Sequence, residues 1–229
     1  MPRRLYLVRH GETEANCLKI IEGRGRGTPL YGSPLNCNGF YQASLLGRAL
    51  AAVNIHHLYM SPAKRAHETA DRIYLLNTAD MMSKKSVVPD LLEINFGVIE
   101  GLKGQKAREE YPDLFKTYRE KPSQTVFPEG ESVVGAYNRV GFALSKILYT
   151  HNSNENILIV SHGAPLTFIF IHVFRLDLDN MFHAIRHHNC GLSIIEWDKP
   201  DHPKIVCMND ISHLKGEHTQ RLKNPALSF

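Results

Sequence analysis

The hydrophobic pattern of the chain contains two short apolar runs, residues 5–8 and 157–160, each of which ends abruptly in polar residues. Runs of this length, bounded by polar and glycine residues, predict buried strands. The first run leads into Arg9-His10-Gly11 and the second into Ser161-His162-Gly163. Open α/β sheets bind their ligands at the carboxyl ends of the strands. Two histidines are therefore predicted at the ligand-binding edge of one sheet.

Helical and strand-like segments alternate along the rest of the chain. Apolar spacing predicts helices over residues 38–53 and 133–148, and a short helix or loop over 13–21. Ser61-Pro62 predicts the start of another helix, which ends near residue 76. A nearly all-apolar helix from Pro165 should lie buried in the middle of the fold. Further strands are predicted at residues 57–60, 87–94 with a break at Pro89, 192–197 and 204–208. This alternation predicts an α/β fold with three α/β/α layers and a largely parallel central sheet.

Residues 102–130 interrupt this pattern with polar, charge-rich sequence that includes three prolines, Pro112, Pro122 and Pro128. We expect this segment to be an insertion that forms a lid over the site and not part of the core. The chain is accordingly predicted to be a single catalytic domain, residues 1–229, whose core comprises residues 1–101 and 131–229.

Composition narrows the class of protein. The 229 residues are 43% hydrophobic and 22% charged, and the net charge is +4. These values are ordinary for a soluble globular protein, and the charge is too small for a dedicated nucleic-acid binder. The positive excess is local, because residues 1–30 carry six lysines and arginines against three glutamates. Such a balance around the first His-Gly motif suits an anionic substrate.

The cysteines and the apolar segments indicate the cellular compartment in which the protein is expected. The four cysteines form no C-x-x-C pair, which favours free thiols in a reducing cytosol. The residues before the first strand leave no room for a signal peptide, and the longest apolar stretch, residues 166–174, is too short to span a bilayer. We predict a cytoplasmic protein with neither a membrane nor a nucleic acid as partner.

Several polar residues should lie at strand ends or helix starts: Arg9, His10, Arg65, Glu93 and His162, with Asn16 and the Glu22-Gly23 loop nearby. Two guanidinium groups suit phosphate oxygens, and a helix start after Gly163 adds backbone N–H donors. A carboxylate among these cations would repel an anion, so it needs a reason to be there. Proton donation to a leaving group is one such reason.

At this point the chain resembles a known family, the histidine phosphatases of the phosphoglycerate mutase-like superfamily. The resemblance rests on motifs in the family's order: Arg9-His10-Gly11-Glu12-Thr13, Asn16, Ser61-Pro62-x-x-Arg65-x-x-x-Thr69-Ala70, Leu92-Glu93-x-x-Phe96-Gly97-x-x-Glu100-Gly101, Pro128-x-Gly130-Glu131-Ser132 and Ser161-His162-Gly163. It spans nearly the whole chain, as far as Asn189-Cys190. The combination is specific, whereas Arg-His-Gly alone would not be.

The resemblance implies a role for each matched residue. His10 corresponds to the nucleophile that becomes a phosphohistidine, and Glu93 to the general acid that then serves as base toward water. The remaining matches imply the phosphate clamp, which is Arg9, Arg65 and His162, and the rim of the substrate-binding pocket, which is Asn16, Glu22, Gly23 and Gly163. From the residues alone, Glu100 and Glu109 remain rival acids. No metal and no cofactor are predicted, although His183, His187 and His188 have a spacing that could bind a metal if helical.

Three departures from the mutase pattern favour the phosphatase branch. Phe96 stands where mutases usually carry tyrosine, Ala164-Pro165 replaces the usual asparagine and serine, and residues 102–130 contain no adjacent arginine pair. The expected activity is that of a phosphoric monoester hydrolase of the histidine acid phosphatase type, acting on a small phosphorylated metabolite. The alternatives left open are a cofactor-dependent phosphoglycerate mutase and a non-catalytic phospholigand-binding scaffold. The oligomeric state is also open, with a homodimer as one option.

Overall fold

The computed structural model of the chain describes residues 3–24, 32–79, 84–184, 186–199 and 201–214. Part of the glycine-rich loop at residues 22–29 lies outside this range. The described strands are β1 (Arg4–Arg9), β2 (His57–Met60), β3 (Lys84–Val87), β4 (Asn156–Ser161), β5 (Leu192–Trp197) and β6 (Pro203–Asp210). The described helices are α1 (Glu14–Leu18), α2 (Cys37–Ala49), α3 (Lys64–Leu76), α4 (Gly104–Glu110), α5 (Pro112–Glu120), α6 (Val133–Thr150), α7 (Gly163–Phe174) and α8 (Met181–Ala184).

The strands form one six-stranded sheet in the order β3-β2-β4-β1-β5-β6. The four strands β3, β2, β4 and β1 run parallel, while β5 and β6 join antiparallel at one side. The predicted largely parallel sheet is thereby confirmed. Since β1 and β4 are parallel neighbours, in the register that pairs Arg9 with Ser161, His10 and His162 emerge side by side.

The two faces of the sheet bury two separate clusters, as the alternation of side chains along a strand requires. Leu5 and Leu7 of β1 face a large cluster with α6 and α7. Tyr6 and Val8 face a second cluster with α2 and α3. Helices thus cover both faces, which confirms the three-layer α/β/α fold. The predicted burial of α7 is also confirmed, because residues 165–171 of this helix are all buried.

The segment 102–130 differs from its prediction, because it contributes to the core. Ala107 and Phe127 are at most 1% exposed, and Tyr118 is 5% exposed, all within the larger cluster. The ring of Phe127 packs edge-to-face against Phe96 at a centroid distance of 5.0 Å. The expectation that this segment is not core is therefore wrong: its apolar residues are widely spaced among charges, yet Ala107 of α4, Tyr118 of α5 and Phe127 of the following loop all face inward.

Two predicted element boundaries were also wrong. Helix α3 begins at Lys64 and not at Ser61, because the Ser61 hydroxyl makes a long-range contact with His162 instead of capping the helix. The strand predicted over 87–94 ends at Val87, where a short 3₁₀ turn at Pro89–Leu91 follows. Pro89 has no N–H with which to continue a ladder. Among the described residues, no helix combines the length and the apolar character that crossing a membrane requires.

Candidate active site

His10 follows β1 directly and is 3% exposed. Its Nδ1 lies 2.7 Å from the carbonyl oxygen of Gly11, which can only accept, so Nδ1 carries the proton and donates it. Arg65 Nε donates to His10 Nε2 at 3.2 Å, as expected if Nε2 has a free lone pair. Burial, with the charges of Arg65 and Arg9, lowers the pKa of His10 well below its usual value. The ring is therefore neutral, and Nε2 carries a lone pair and no proton.

One partly buried and one buried arginine, Arg9 and Arg65, lie close to this histidine. Arg65, in the first turn of α3, is 1% exposed and donates from Nη2 to the carbonyl oxygen of Gly23 at 2.8 Å. Its Nη1 lies 3.4 Å from Glu22 Oε1. Arg9 Nη1 donates to the carbonyl oxygen of His187 at 2.7 Å. Burial lowers the pKa of both guanidinium groups, but Arg remains charged under all ordinary conditions.

His162 sits at the end of β4, at the N-cap of α7, and is fully buried. Its Nε2 is 2.8 Å from the hydroxyl of Ser61, which also accepts a hydrogen bond from the Ala63 amide. We assign the hydroxyl hydrogen to the bond with Nε2, an assignment that places the ring proton on Nδ1. Burial lowers the pKa of His162 well below its usual value, so this ring is a neutral donor. Its centroid is 5.1 Å from that of His10.

Three nitrogens of this group have no hydrogen-bond partner within the described ranges: Arg9 Nε, Arg65 Nη1, whose contact with Glu22 is an ion pair, and His162 Nδ1. All three atoms are buried, and buried polar groups are almost always hydrogen-bonded in folded proteins. Such nitrogens close to a neutral histidine can bind an anion with several oxygens.

Glu93 lies on irregular chain after the 3₁₀ turn and is 9% exposed. Its Oε1 accepts from the Ile94 amide at 2.9 Å, and Oε2 from the Ala164 amide, in the first turn of α7, at 3.4 Å. Burial raises the pKa of Glu93, an effect opposed by the Ile94 amide and by Arg65 and Arg9. This carboxyl group can hold a proton at a pH where exposed carboxyls have lost theirs.

The rival acids occupy other positions. Glu100 Oε1 accepts from the amides of Phe96 and Arg24, so it braces the neighbouring loops. Glu109 lies exposed on α4, where its Oε1 accepts from Gln105. Of the three acids, Glu93 is the one that the structure places beside α7 and the two arginines.

The rim residues support the site from one side. Asn16 Oδ1 accepts from the Thr13 amide and from Asn189, whose amide group also binds the His10 carbonyl oxygen. Gly23 is required by space, since a Cβ atom there would lie 2.4 Å from the backbone oxygen of Ile94, as well as 2.1 Å from Glu100 Oε1. Gly163, the first residue of α7, brings the helix start close to the Glu93 carboxyl group, which would lie 3.8 Å from a Cβ at this position.

Sequence reasoning missed Arg139, which donates to the carbonyl oxygen of Glu93 at 3.0 Å. Its partner Glu131 belongs to the Pro128-x-Gly130-Glu131-Ser132 motif, which gave no indication of this contact.

The hypothesis that the later histidines bind a metal gains no support: His187 is buried, His188 Nδ1 contacts Asn209, and the side chain of His183 lies outside the described part. No group of three or more metal-ligating side chains occurs among the residues that the structure describes.

A three-layer α/β/α fold with Arg9, His10 and His162 at the carboxyl ends of parallel strands, and Arg65 in the first turn of a helix, is typical of the histidine phosphatase class. The chain belongs to the histidine phosphatase superfamily, branch 1, which it matches over residues 5–211.

Individual relatives agree with this assignment. The chain is 29% identical to phosphoserine phosphatase 1 of Hydrogenobacter thermophilus, over 92% of this chain and 94% of that protein. Among solved structures, YhfR of Bacillus stearothermophilus is similar with a TM-score of 0.81 and 27% identity, covering 94% of this chain and 100% of that chain. A mutant phosphoserine phosphatase of Entamoeba histolytica, in complex with phosphoserine, has a TM-score of 0.70 and 25% identity, covering 93% of this chain and 100% of that chain.

Proposed function

We propose that this protein is a phosphomonoesterase that hydrolyses a small phosphorylated metabolite through a phosphohistidine intermediate on His10. The observation that carries this proposal is that Arg9, Arg65 and His162 each keep a buried nitrogen without a hydrogen-bond partner close to the unprotonated Nε2 of His10. Phosphoryl transfer depends on positioning and on neutralising charge on the equatorial oxygens, and Arg9, Arg65 and His162 can supply both. Asn16, Glu22, Gly23 and Gly163 are proposed to line the pocket around the bound phosphate.

In the first step, Nε2 of His10 forms a bond to phosphorus while the bond from phosphorus to the leaving oxygen breaks. Protonated Glu93 gives its proton to that oxygen. In the second step, the Glu93 carboxylate takes a proton from water, the water oxygen bonds to phosphorus, and the P–N bond breaks to release phosphate. His10 and the protonated Glu93 are both regenerated, so no cofactor is consumed.

The names of the relatives suggest where to look for the substrate. Proteins named as phosphoserine phosphatases match this chain along nearly its full length. Phosphoserine is therefore the first compound to test, within a panel that also contains sugar phosphates and nucleoside phosphates.

The test is phosphate release from this panel by the wild type and by His10→Ala. We expect turnover of at least one compound, abolished in His10→Ala but retained in His202→Ala, which removes an exposed histidine. Acid-labile, base-stable labelling of His10 should appear during turnover, and Glu93→Gln should accumulate the labelled protein. Equal rates for wild type and His10→Ala would refute the proposal.

Two alternatives are separated by further measurements. A phosphoglycerate mutase would interconvert the two phosphoglycerates faster when bisphosphoglycerate is added, and Phe96 and Ala164 are departures that argue against this result. A scaffold would bind phosphoserine or another phosphorylated ligand tightly without releasing phosphate. Neither behaviour is expected.

A further inference from the structure

The segment that carries Glu93 is held by a side chain from another layer of the fold. From Leu92 to Phe96 the chain forms neither helix nor strand, so its peptide groups need hydrogen bonds from elsewhere. Arg139, on α6, supplies two of them, to Leu92 and Glu93, and a third hydrogen bond to Asp90 in the preceding 3₁₀ turn. Its Nη1 donates to the carbonyl oxygens of Asp90 and Leu92, each at 2.7 Å, and its Nη2 donates to that of Glu93 at 3.0 Å.

Glu131 holds Arg139 in this position and contacts the same segment directly. Its two oxygens accept from Arg139 Nη2 at 2.7 Å and from Nε at 3.1 Å, which is a bidentate pair. The Asn95 amide donates to Glu131 Oε1 at 2.8 Å. Arg24, next to Gly23, donates to Glu131 Oε2 at 2.9 Å, so the pocket rim joins the same network.

This arrangement leaves Arg139 no means of contacting a substrate. An arginine has five N–H donors, and all five are used, on the three carbonyl oxygens and on the two oxygens of Glu131. The side chains of Arg139 and Glu131 are only 16% and 18% exposed. Lysine, with three donors and no planar fork, cannot reproduce the set.

We propose that the Arg139–Glu131 pair is a positioning device that fixes the carboxyl group of Glu93 relative to the phosphoryl group under attack. This inference rests on the proposed function, in which Glu93 protonates the leaving oxygen. The pair acts on the peptide groups on both sides of Glu93, while the carboxyl group itself stays bonded to the Ile94 and Ala164 amides. Removing the pair should therefore misplace the acid without removing it.

The experiment compares two substrates of nearly equal shape, 4-nitrophenyl phosphate and phenyl phosphate. Phenol is the poorer leaving group, so its departure depends more on proton donation. We expect Glu93→Gln to lower kcat/KM for phenyl phosphate by a factor of roughly 10² to 10⁴. The loss in kcat/KM for 4-nitrophenyl phosphate should be smaller than this by a factor of about ten or more. Since a misplacement of about 1 Å can cost roughly 10² in rate, Arg139→Met should lower kcat/KM for phenyl phosphate by about 10- to 100-fold, with a much smaller loss for the nitro compound. KM should change little in both cases.

The double variant Glu93→Gln/Arg139→Met isolates the positioning role. If Arg139 acts through Glu93, the double variant should match Glu93→Gln to within about threefold, because the energies of interacting residues are not additive. The matched control is Arg4→Met, which breaks an arginine–glutamate pair with Glu196 at the other end of β1 and should leave both rates unchanged.

The outcomes separate this inference from the proposed function. Equal losses on both substrates in Arg139→Met, or an additive double variant, would overturn the positioning role. If Glu93→Gln itself loses the same factor in kcat/KM on both substrates, the acid role of Glu93 would be overturned instead. If Arg139→Met does not fold, Arg139→Lys and Glu131→Gln replace it, and each should show the same selective loss on phenyl phosphate, in smaller measure.

Discussion

Acid should destabilise this protein in part through His57, a partly buried residue of β2. Its ring stacks on Tyr59 at a centroid distance of 4.1 Å, and its Nε2 is 2.9 Å from the Ser86 hydroxyl. Burial lowers the pKa of His57 to about 4, with help from the nearby His151 and Lys84 and against the attraction of Glu155. In the unfolded chain the pKa is about 6.5. The unfolded state therefore binds the proton more readily, and stability is lost as the pH falls below about 6.5.

The magnitude follows from the two pKa values. At pH 5.0 the unfolded chain has bound the proton while the folded ring has not, and linkage gives a loss of about 2 kcal/mol relative to pH 7.5. Solvent that still reaches the ring reduces this to about 1–2 kcal/mol. The perturbation is His57→Gln, and the assay is urea unfolding at both pH values. The variant should lose about 1–2 kcal/mol less than the wild type between them.

The control is His202→Gln, which removes an exposed histidine and should keep the wild-type pH dependence. Absolute stability of His57→Gln is not the readout, since loss of the stacking on Tyr59 lowers it at both pH values. An unchanged difference between pH 7.5 and pH 5.0 in His57→Gln would refute the reasoning.

Three further predictions concern the core and the site. Phe127→Ala should lower the free energy of unfolding by about 3–5 kcal/mol, measured by urea unfolding, because the ring is 1% exposed and packs against Phe96. A loss below about 1 kcal/mol would instead support residues 102–130 as a lid separate from the core. The value of kcat/KM should fall toward alkaline pH as Glu93 loses its proton, and pH–rate profiles of Glu93→Gln should lack that limb. Gly23→Ala should lower kcat/KM by about tenfold or more, because its Cβ would lie 2.4 Å from the backbone oxygen of Ile94. Gly104→Ala, with no atom within 3.5 Å, should retain wild-type kinetics.

The parts of the fold that were predictable are those in which a local pattern decides the structure. The strands β1 and β4 are continuous apolar runs, which are typical of a parallel sheet buried on both faces. Helix α7 is apolar on all sides, which is typical of a buried helix. The His-Gly dipeptides at the strand ends then place His10 and His162 side by side without further information. The lowered pKa of His10 required the structure, since it depends on burial and on Arg65.

One wrong helix start and one missed residue share a cause, which is that a side chain contacts a distant part of the chain. Serine is a residue type that often caps helices, but the hydroxyl of Ser61 forms a hydrogen bond with His162, which is 101 residues away in sequence. Arg139 has the spacing of a solvated helix charge, and its five acceptors come from Glu131 and the segment near Glu93. Hydrogen bonds of this kind leave no periodic signal in a single sequence.

One physical cause, burial beside fixed cations, sets both protonation states that the proposed chemistry needs. Removal from water disfavours whichever form is charged, so it lowers the pKa of His10 and raises that of Glu93. Arg9 and Arg65 add to the first effect and oppose the second, which keeps the Glu93 carboxyl from holding its proton too tightly to donate it. A site with fewer cations would leave Glu93 a weaker acid, and a more exposed site would let His10 take up a proton. Nucleophile and acid are ready together only in a pocket that is both dry and cationic.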